Sequence, residues 1–432
     1  LMRATKDSGI SWLGEYPSDW ELKKIKYCLQ ERVEKNNPVR TTEILSLTAK
    51  QGVIPYDQKE GGGNKPKEDV SAYRLAYPGD IVMNSMNILS GSVGLSQYFG
   101  CVSPVYYMLR PWKVTEDVRY YNYTFQTTMF QRSLFGLGNG ILIKESGNGK
   151  LNTIRMRIPM DKFGELFIPV APIDEQQRIA DFLDAKCAKI DALVADIQSQ
   201  IDTLEQYKRS VITETVTKGL NPDAEMKDSG VQWIGDTPAH WGVIRGKYIL
   251  RYMQKPVREN DGVITCFRDG EVTLRSNRRE DGFTMSDKEI GYQGIDVGDL
   301  VVHGMDGFAG AIGISDSRGK ASPVLNVLDT DQCKRYIMYY LRSMAYSDVF
   351  LALATGIRVR SCDLRWNKLA ELSYPVPPLD EQNAIVKHID SVLSKADAVI
   401  ADKKAQLATL DEYIKSLIFE YVTGKKEVPC ID

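Results

Sequence analysis

Near the middle of the chain, Pro222-Asp223-Ala224-Glu225-Met226-Lys227 has the residue types of a metal-dependent nuclease centre, two carboxylates and a lysine. Such a centre needs its carboxylates on adjacent strands converging on one ion. Here a single residue separates them in a stretch of turn formers, which reads as a solvated turn. A phosphate-cradling Gly-x-x-x-x-Gly-Lys-[Ser/Thr] loop is absent, because Gly147-Asn148-Gly149-Lys150 has Lys144 where the first glycine should stand. There is no Asn-Pro-Pro-[Tyr/Phe] methyltransferase motif. The seven cysteines are odd in number, dispersed and never spaced CxxC, and His240, His303 and His388 are far apart. Neither a disulfide framework nor a metal site is expected, and no residue set is expected to be catalytic.

The residues suit recognition better. Asn84 and Asn87, within 83–89, align with His303 and Asp306, within 302–308. Asn pairs bidentately with adenine and Asp accepts from cytosine N4, so different polar residues at corresponding places fit two readers of different base sequences. The competing reading is a loop with ordinary turn chemistry. Basic residues cluster at Arg268, Arg275, Arg278 and Arg279, and again at Arg358, Arg360, Arg365 and Lys368 with Asp363 against them. The first half offers Lys50, Lys59, Lys65 and Lys67, then Lys144, Lys150, Arg155 and Arg157. Phosphate contacts fix register while few side chains read bases. The candidate DNA-binding set is therefore Lys50, Asn84, Asn87, Lys144, Lys150, Arg155, Arg268, Arg275, Arg278, Arg279, His303, Asp306, Arg358 and Arg360. A solvated surface charge competes with each arginine taken singly. Tyr106, Tyr107, Tyr120, Tyr121 and Tyr123 read as core or helix packing.

The elements that hold these residues come in two copies. Asp7-Ser8-Gly9-Ile10-Ser11-Trp12-Leu13-Gly14, with Pro17 and Trp20, recurs as Asp228-Ser229-Gly230-Val231-Gln232-Trp233-Ile234-Gly235, with Pro238 and Trp241. Pro78-Gly79-Asp80-Ile81-Val82 returns as Val297-Gly298-Asp299-Leu300-Val301. Pro169-Val170-Ala171-Pro172-Ile173-Asp174-Glu175-Gln176 returns as Pro375-Val376-Pro377-Pro378-Leu379-Asp380-Glu381-Gln382. A repeat of this span sets the architecture before any local feature does. Short β-branched and aromatic runs broken by Gly, Pro and Asn predict a sheet-rich α+β module in each copy, with helix near 117–135 and 332–350. The Gly61-Gly62-Gly63 stretch predicts a loop.

Each proline-led start opens about 45 residues of helical periodicity. Leu183, Ile190, Ile197, Leu204 and Val211 step by seven with Cys187, Val194 and Ile201 beside them. Leu393, Ile400, Leu407 and Ile414 do the same with Ala396, Lys403, Leu410 and Leu417. Sustained heptads predict a coiled coil whose simplest partner is the other copy. Asp174 and Asp380 are candidate caps. The expected organisation is a first module over 8–168, a helix over 169–218, a linker over 219–228, a second module over 229–374 and a second helix over 375–424.

The 432 residues carry a formal net charge of −2, which argues against a nonspecific basic DNA coat. The first long helix is acidic, so near-neutrality hides basic readers and acidic rods. With no basic flank before an apolar run and no long apolar window, neither signal peptide nor membrane span is expected, and the chain reads as cytoplasmic.

The two tryptophan-bearing openings, the two Pro-x-Pro-[Ile/Leu]-Asp-Glu-Gln helix starts and the Gly-Asp-[Ile/Leu]-Val strands, in this order over nearly the whole chain, resemble the specificity subunit of type I restriction-modification systems. That resemblance implies two target-recognition domains, each reading half of a bipartite double-stranded DNA site. It implies long helices packed antiparallel as a spacer, and no catalysis or cofactor in this chain. Two DNA adenine methyltransferase subunits would dock on the repeated regions and carry S-adenosylmethionine. A restriction and translocation subunit with ATP and Mg could join them. The alternative is a scaffold that binds no DNA and holds two ligand-binding modules on a coiled coil. It would explain the duplication and the heptads but not the basic clusters.

Overall fold

In a computed structural model that describes residues 3–48, 51–59, 66–138, 144–145, 151–152, 157–278, 290–353 and 364–429, the sequence repeat becomes a structural one. The elements used below are β1 (Leu29–Glu31), β2 (Ile81–Asn84), β3 (Val93–Leu95), β4 (Tyr106–Pro111), α1 (Val118–Gln126) and α2 (Ile173–Lys218) in the first copy. The second copy has β5 (Leu250–Met253), β6 (Leu300–His303), β7 (Ile312–Ile314), β8 (Leu325–Thr330), α3 (Lys334–Tyr346) and α4 (Leu379–Val422). Each copy builds the same four-stranded antiparallel sheet, ordered β1-β4-β2-β3 and β5-β8-β6-β7. The Gly-Asp turns that feed β2 and β6 are closed by their own aspartates: Asp80 accepts from Tyr77 N, and Asp299 accepts from Asp296 N. Both are buried and paired, Asp80 with Arg32 and Asp299 with Lys255.

Contacts divide the chain into two units, Leu1–Asp196 with Ala405–Asp432, and Ile197–Lys404. Each unit therefore takes the start of one long helix and the end of the other. In the first, Ile179, Leu183 and Ile190 of α2 share a core with Leu417, Ile418, Tyr421 and Val422 of α4, and the Phe182 and Tyr421 rings lie 4.5 Å apart. In the second, Ile212 and Val216 join Ile385 and Ile389. There Lys208 pairs with Asp397 at 2.5 Å and Lys403 donates to Gln200, so numbering rises on one helix as it falls on the other. The pair is antiparallel. The Lys403 contact also explains the polar residue in the heptad: its ammonium reaches a side-chain oxygen across the seam instead of being buried unpaired. The fold is the expected α+β duplication with an antiparallel coiled coil.

The helix starts differ from expectation in detail. Pro169 and Val170 belong to a strand, Phe167–Val170, paired with Glu21–Lys24, and Ser373–Val376 pairs with Gly242–Arg245 in the second copy. The helix opens at Ile173, with Asp174 and Glu175 in its first turn. Asp174 therefore complements the helix dipole rather than capping. Residues expected in the linker also fold. Met226–Asp228 pairs with Asp236–Pro238, as Thr5–Asp7 pairs with Glu15–Pro17, because strand pairing satisfies backbone groups that a free linker would leave to water.

The Glu-Gln of each helix start has a specific task. Glu175 accepts from the indole N–H of buried Trp20 at 2.8 Å and from Arg3 at 2.5 Å. Glu381 accepts from Trp241 at 3.1 Å and bonds to His240 Nε2 at 2.8 Å. Gln176 accepts from Asp117 N at the start of α1 and donates to Ala171 O; Gln382 accepts from Cys333 N at the start of α3 and donates to Pro377 O. A helix start leaves backbone N–H groups without partners, and these glutamines supply the missing acceptors.

The helix ends are held similarly. The Tyr120 hydroxyl is shared between Pro169 O and Val422 O, and that of Tyr336 between Pro375 O and Val216 O; Val422 O and Val216 O are carbonyls that a helix terminus leaves free, and the proline carbonyls lie in the strands before the helix starts. Gly424 at φ +69° lies where a Cβ would overlap Pro17, and Gly219 at φ +76° packs on Trp241. No helix among the described residues is long and apolar enough to cross a membrane.

Candidate nucleic-acid interface

The aligned polar residues occupy the same structural place, at the ends of β2 and β6. Asn84 is buried, and its Oδ1 accepts from Met86 N at 3.0 Å. His303 Nδ1 accepts from Met305 N at 3.2 Å and Asp306 N at 3.0 Å, so the neutral ring carries its proton on Nε2. Burial lowers the His303 pKa below its ordinary value, with Asp306 opposing and Arg268 reinforcing that shift. Both residues therefore perform turn chemistry. The outward polar positions on the same loops are Asn87, which is exposed, and Asp306, which is half-buried.

The second module brings several candidates together. Arg268 Nη2 lies 2.9 Å from Asp306 Oδ1, and His303 Nε2 lies 4.0 Å from Asp306 Oδ2. Next to Arg268 in the chain, Asp269 takes Arg278 at 2.6 Å; Arg278 also pairs with Glu271 and lies 4.1 Å over the Phe267 ring. Arg275 continues the same hairpin, its Nε donating to Thr265 Oγ1 at 3.4 Å. Arg268, Arg275, Arg278, His303 and Asp306 thus form one polar surface, but its arginines already have acidic or hydroxyl partners. A phosphate must compete with those partners, so the local charge is lower than the run of arginines suggests.

In the first module the structure places fewer candidates. Lys144 lies on the short strand Lys144–Glu145, paired with Leu151–Asn152. Lys50, Lys150, Arg155, Arg279, Arg358 and Arg360 lie outside the described residues, as does Gly61-Gly62-Gly63. Arg157 stands over the Tyr107 ring at 5.9 Å and lines a cavity of about 410 Å³ with Glu31, Arg74 and Asp161. The tyrosines serve as core: Tyr107, Tyr120 and Tyr121 are buried.

Catalytic geometry does not assemble at the nuclease-like hexapeptide. Asp223 and Glu225 are exposed, and Lys227 Nζ donates to Trp241 O at 2.7 Å, the role Lys6 plays for Trp20 O. Among the described residues no group of three or more His, Cys, Asp or Glu side chains could hold a metal ion.

The long helices carry a second candidate surface. Leu193 and Tyr413 in the first unit are 46% and 51% exposed, and Val399 and Tyr207 in the second are 43% and 51% exposed. Leu193 corresponds to Val399 and Tyr207 to Tyr413 in the repeat, and Gln200 to Gln406 between them. All flank the buried seam, where a coiled coil ordinarily places charge. These exposed apolar residues recur at equivalent places in both copies.

A duplicated sheet-rich module, each copy tied to a long helix antiparallel to its twin, defines the class: a two-module chain built on a coiled coil. Known proteins make the likeness specific. The chain is 23% identical over 445 residues to the "Putative type I restriction enzyme MjaX specificity subunit" of Methanocaldococcus jannaschii, covering 96% of each. It is 19% identical over 271 residues to the type I restriction enzyme StySPI specificity subunit of Salmonella potsdam, covering 61% of this chain and 58% of that one. In fold it is similar to a chain from a structure on complex assembly and conformational transition of the type I R-M system. The TM-score is 0.66 at 12% identity, over 95% of this chain and 99% of the other. No protein-family model matches. The resemblance carried by the repeated motifs holds: along its whole length the chain is similar to type I restriction-modification specificity subunits.

Proposed function

We infer that the chain is the sequence-reading, non-catalytic subunit of a type I restriction-modification complex and recognises a bipartite double-stranded DNA target. The observation that carries this reading is the match of two scaffolds whose corresponding polar residues differ at the end of one sheet strand. The repeat keeps the sheet, the tryptophan cradle and the helix starts, and varies the side chains at 84–87 and 303–306. Two readers of different half-sites require that pattern. Asn87, Asp306 and Arg268 are the base-edge candidates, Asn84 and His303 hold the loops, and the remaining basic residues of the candidate set contact phosphates.

The antiparallel helices serve as a ruler between half-sites. At 1.5 Å per residue, a helix of about 45 residues is about 65 Å long. The Leu193–Tyr413 and Val399–Tyr207 surfaces suit two copies of one partner, a DNA adenine methyltransferase subunit that brings S-adenosylmethionine. ATP and Mg belong with a restriction and translocation subunit where one joins.

Co-expression with a type I methyltransferase subunit, followed by mapping of modified adenines, tests the reading. One bipartite motif with a fixed gap is expected, and Tyr207→Ala with Tyr413→Ala should lose the methyltransferase subunit while unfolding stability changes by under about 0.5 kcal/mol. A chain that retains no methyltransferase subunit and directs no modification would instead be the DNA-independent scaffold.

A further inference from the structure

Besides the shared apolar core, the tryptophan–glutamate bond and the tyrosine contacts to helix ends, each unit has two polar joints between its module helix and the start of a long helix. The first is the opening turn, where Gln176 holds the start of α1 and Gln382 holds the start of α3. The second lies eight residues on. Asp184 accepts from Arg119 Nη1 at 2.7 Å and from the Tyr123 hydroxyl at 2.5 Å. Asp390 accepts from Arg335 Nη2 at 2.6 Å and from the Tyr339 hydroxyl at 2.6 Å. Arg and Tyr stand at i and i+4, on one face of each module helix. Arg-Tyr-x-x-Tyr at 119–123 and again at 335–339 is retained where the surrounding helix residues differ.

Two anchors do what one cannot. Apolar contacts are non-directional and resist separation more than sliding, whereas two directional joints eight residues apart, about 12 Å along the helix, fix an angle, and a slip of about 1 Å at the second tilts the module by about 5°. Neighbouring base pairs differ by about 3.4 Å of rise and about 35° of rotation. A module free to lean accepts a half-site one base pair nearer or farther, and a module held at both anchors rejects it. We propose that Arg119, Tyr123 and Asp184, with Arg335, Tyr339 and Asp390, are positioning residues that set how many base pairs are accepted between the half-sites. The inference rests on the bipartite reading above. It assigns gap length to the module–helix joints as well as to helix length.

The two latches are unequal. Arg119 also pairs with Asp117 at 2.6 Å and with Asp181 at 2.8 Å on α2 itself, so removing Asp184 leaves the first module partly tied. Arg335 pairs with Asp390 at 2.6 Å, and losing that carboxylate removes the second anchor of its module.

The test uses the full chain assembled with a type I methyltransferase subunit, on DNA with both half-sites fixed and the gap set one base pair short, correct, or one long. For Asp390→Ala, modification of the off-length sites relative to the correct one should rise by about 10-fold, the scale of one charge-assisted hydrogen bond. Asp184→Ala should give a smaller rise, and both half-sequences should stay unchanged. If Asp390→Ala does not assemble, Tyr339→Phe, which keeps the ring and loses the hydroxyl, decides the same question. Arg251→Ala, which breaks a surface ion pair with Asp329 and Asp331 on the same module, should leave the gap profile unchanged. A wild-type gap profile in the latch variants, or equal broadening by Arg251→Ala, overturns the proposal. Wild-type chain that directs no bipartite modification at any gap overturns the reading beneath it, a distinct result.

Discussion

The tryptophan cradles of the two units differ in a way that separates scaffold from solution. In the first, Glu175 is held by Arg3, which reaches in from the chain's first residues, forms a second ion pair with Asp19 and lies 5.5 Å over the Trp20 ring. In the second, Ala224 stands where Arg3 does and His240 stands where Asp19 does, so Glu381 is bonded from the other side, by an exposed imidazole. The glutamate and the tryptophan are fixed; the side chain that serves the glutamate has moved. The latches and turn acceptors show the same pattern: among the described residues Arg119 pairs with three carboxylates and Arg335 with one, and Asn84 stands against His303. A duplicated scaffold keeps the groups that join elements and lets those that only neutralise them drift.

The largest test of this comparison is removal of the shared glutamate. Glu175→Ala strands the buried Trp20 N–H and the partly buried Arg3, and should cost about 3 kcal/mol. Glu381→Ala leaves His240 free to turn to water and should cost about 1 kcal/mol. Urea unfolding followed by tryptophan fluorescence measures both, and equal losses would mean that the cation's burial does not matter.

The glutamines should behave nearly alike, because both accept from a module helix start and donate to a loop carbonyl, with Gln382 adding a bond to Gln332 Oε1 at 2.7 Å. Gln176→Ala and Gln382→Ala each leave a module helix start and a loop carbonyl without their partner, for about 1 to 2 kcal/mol apiece. Hydrogen exchange at the first turns of α1 and α3 reports each site separately, and unequal protection loss would break the equivalence.

The smallest effect is pH. Protonating His303 requires Nδ1 to stop accepting from two backbone N–H groups, and its folded pKa is lowered. A depressed folded pKa gives stability that is complete above the ordinary value of 6.5 and lost as pH falls below it. The expected loss is the smallest of these effects. His303→Asn, which copies the first module's acceptor, should remove that pH dependence from the urea midpoint; a dependence that survives places its origin elsewhere.

Much of the fold was legible. The offsets between copies gave the duplication, the heptads gave the coiled coil, and the proline-led motifs located the helix starts to within a few residues. The caps were not legible, because which side chain reaches an orphan N–H depends on where another element ends. Gln176 serves α1, 59 residues away in the chain. The latches left a signal that could have been found, Arg-Tyr-x-x-Tyr at the same place in both copies, but their acceptors lie on a separate helix. The basic candidates were legible as charges and not as free charges: Arg268 and Arg278 appear cationic in one dimension and are paired in three.

By itself, then, the sequence determined that there are two copies of one module and helix, where each helix runs, and which positions diverged, because periodicity and repetition are properties of order along the chain. The tertiary structure decided which partners the conserved groups hold: that the Glu-Gln pair grips a tryptophan and caps a distant helix, and that each unit takes the start of one long helix and the end of the other. The Glu-Gln contacts arise because each module folds back on its own helix start, joining residues 59 and 155 positions apart, and the shared units arise from antiparallel packing, which joins residues about 200 apart; linear spacing encodes neither.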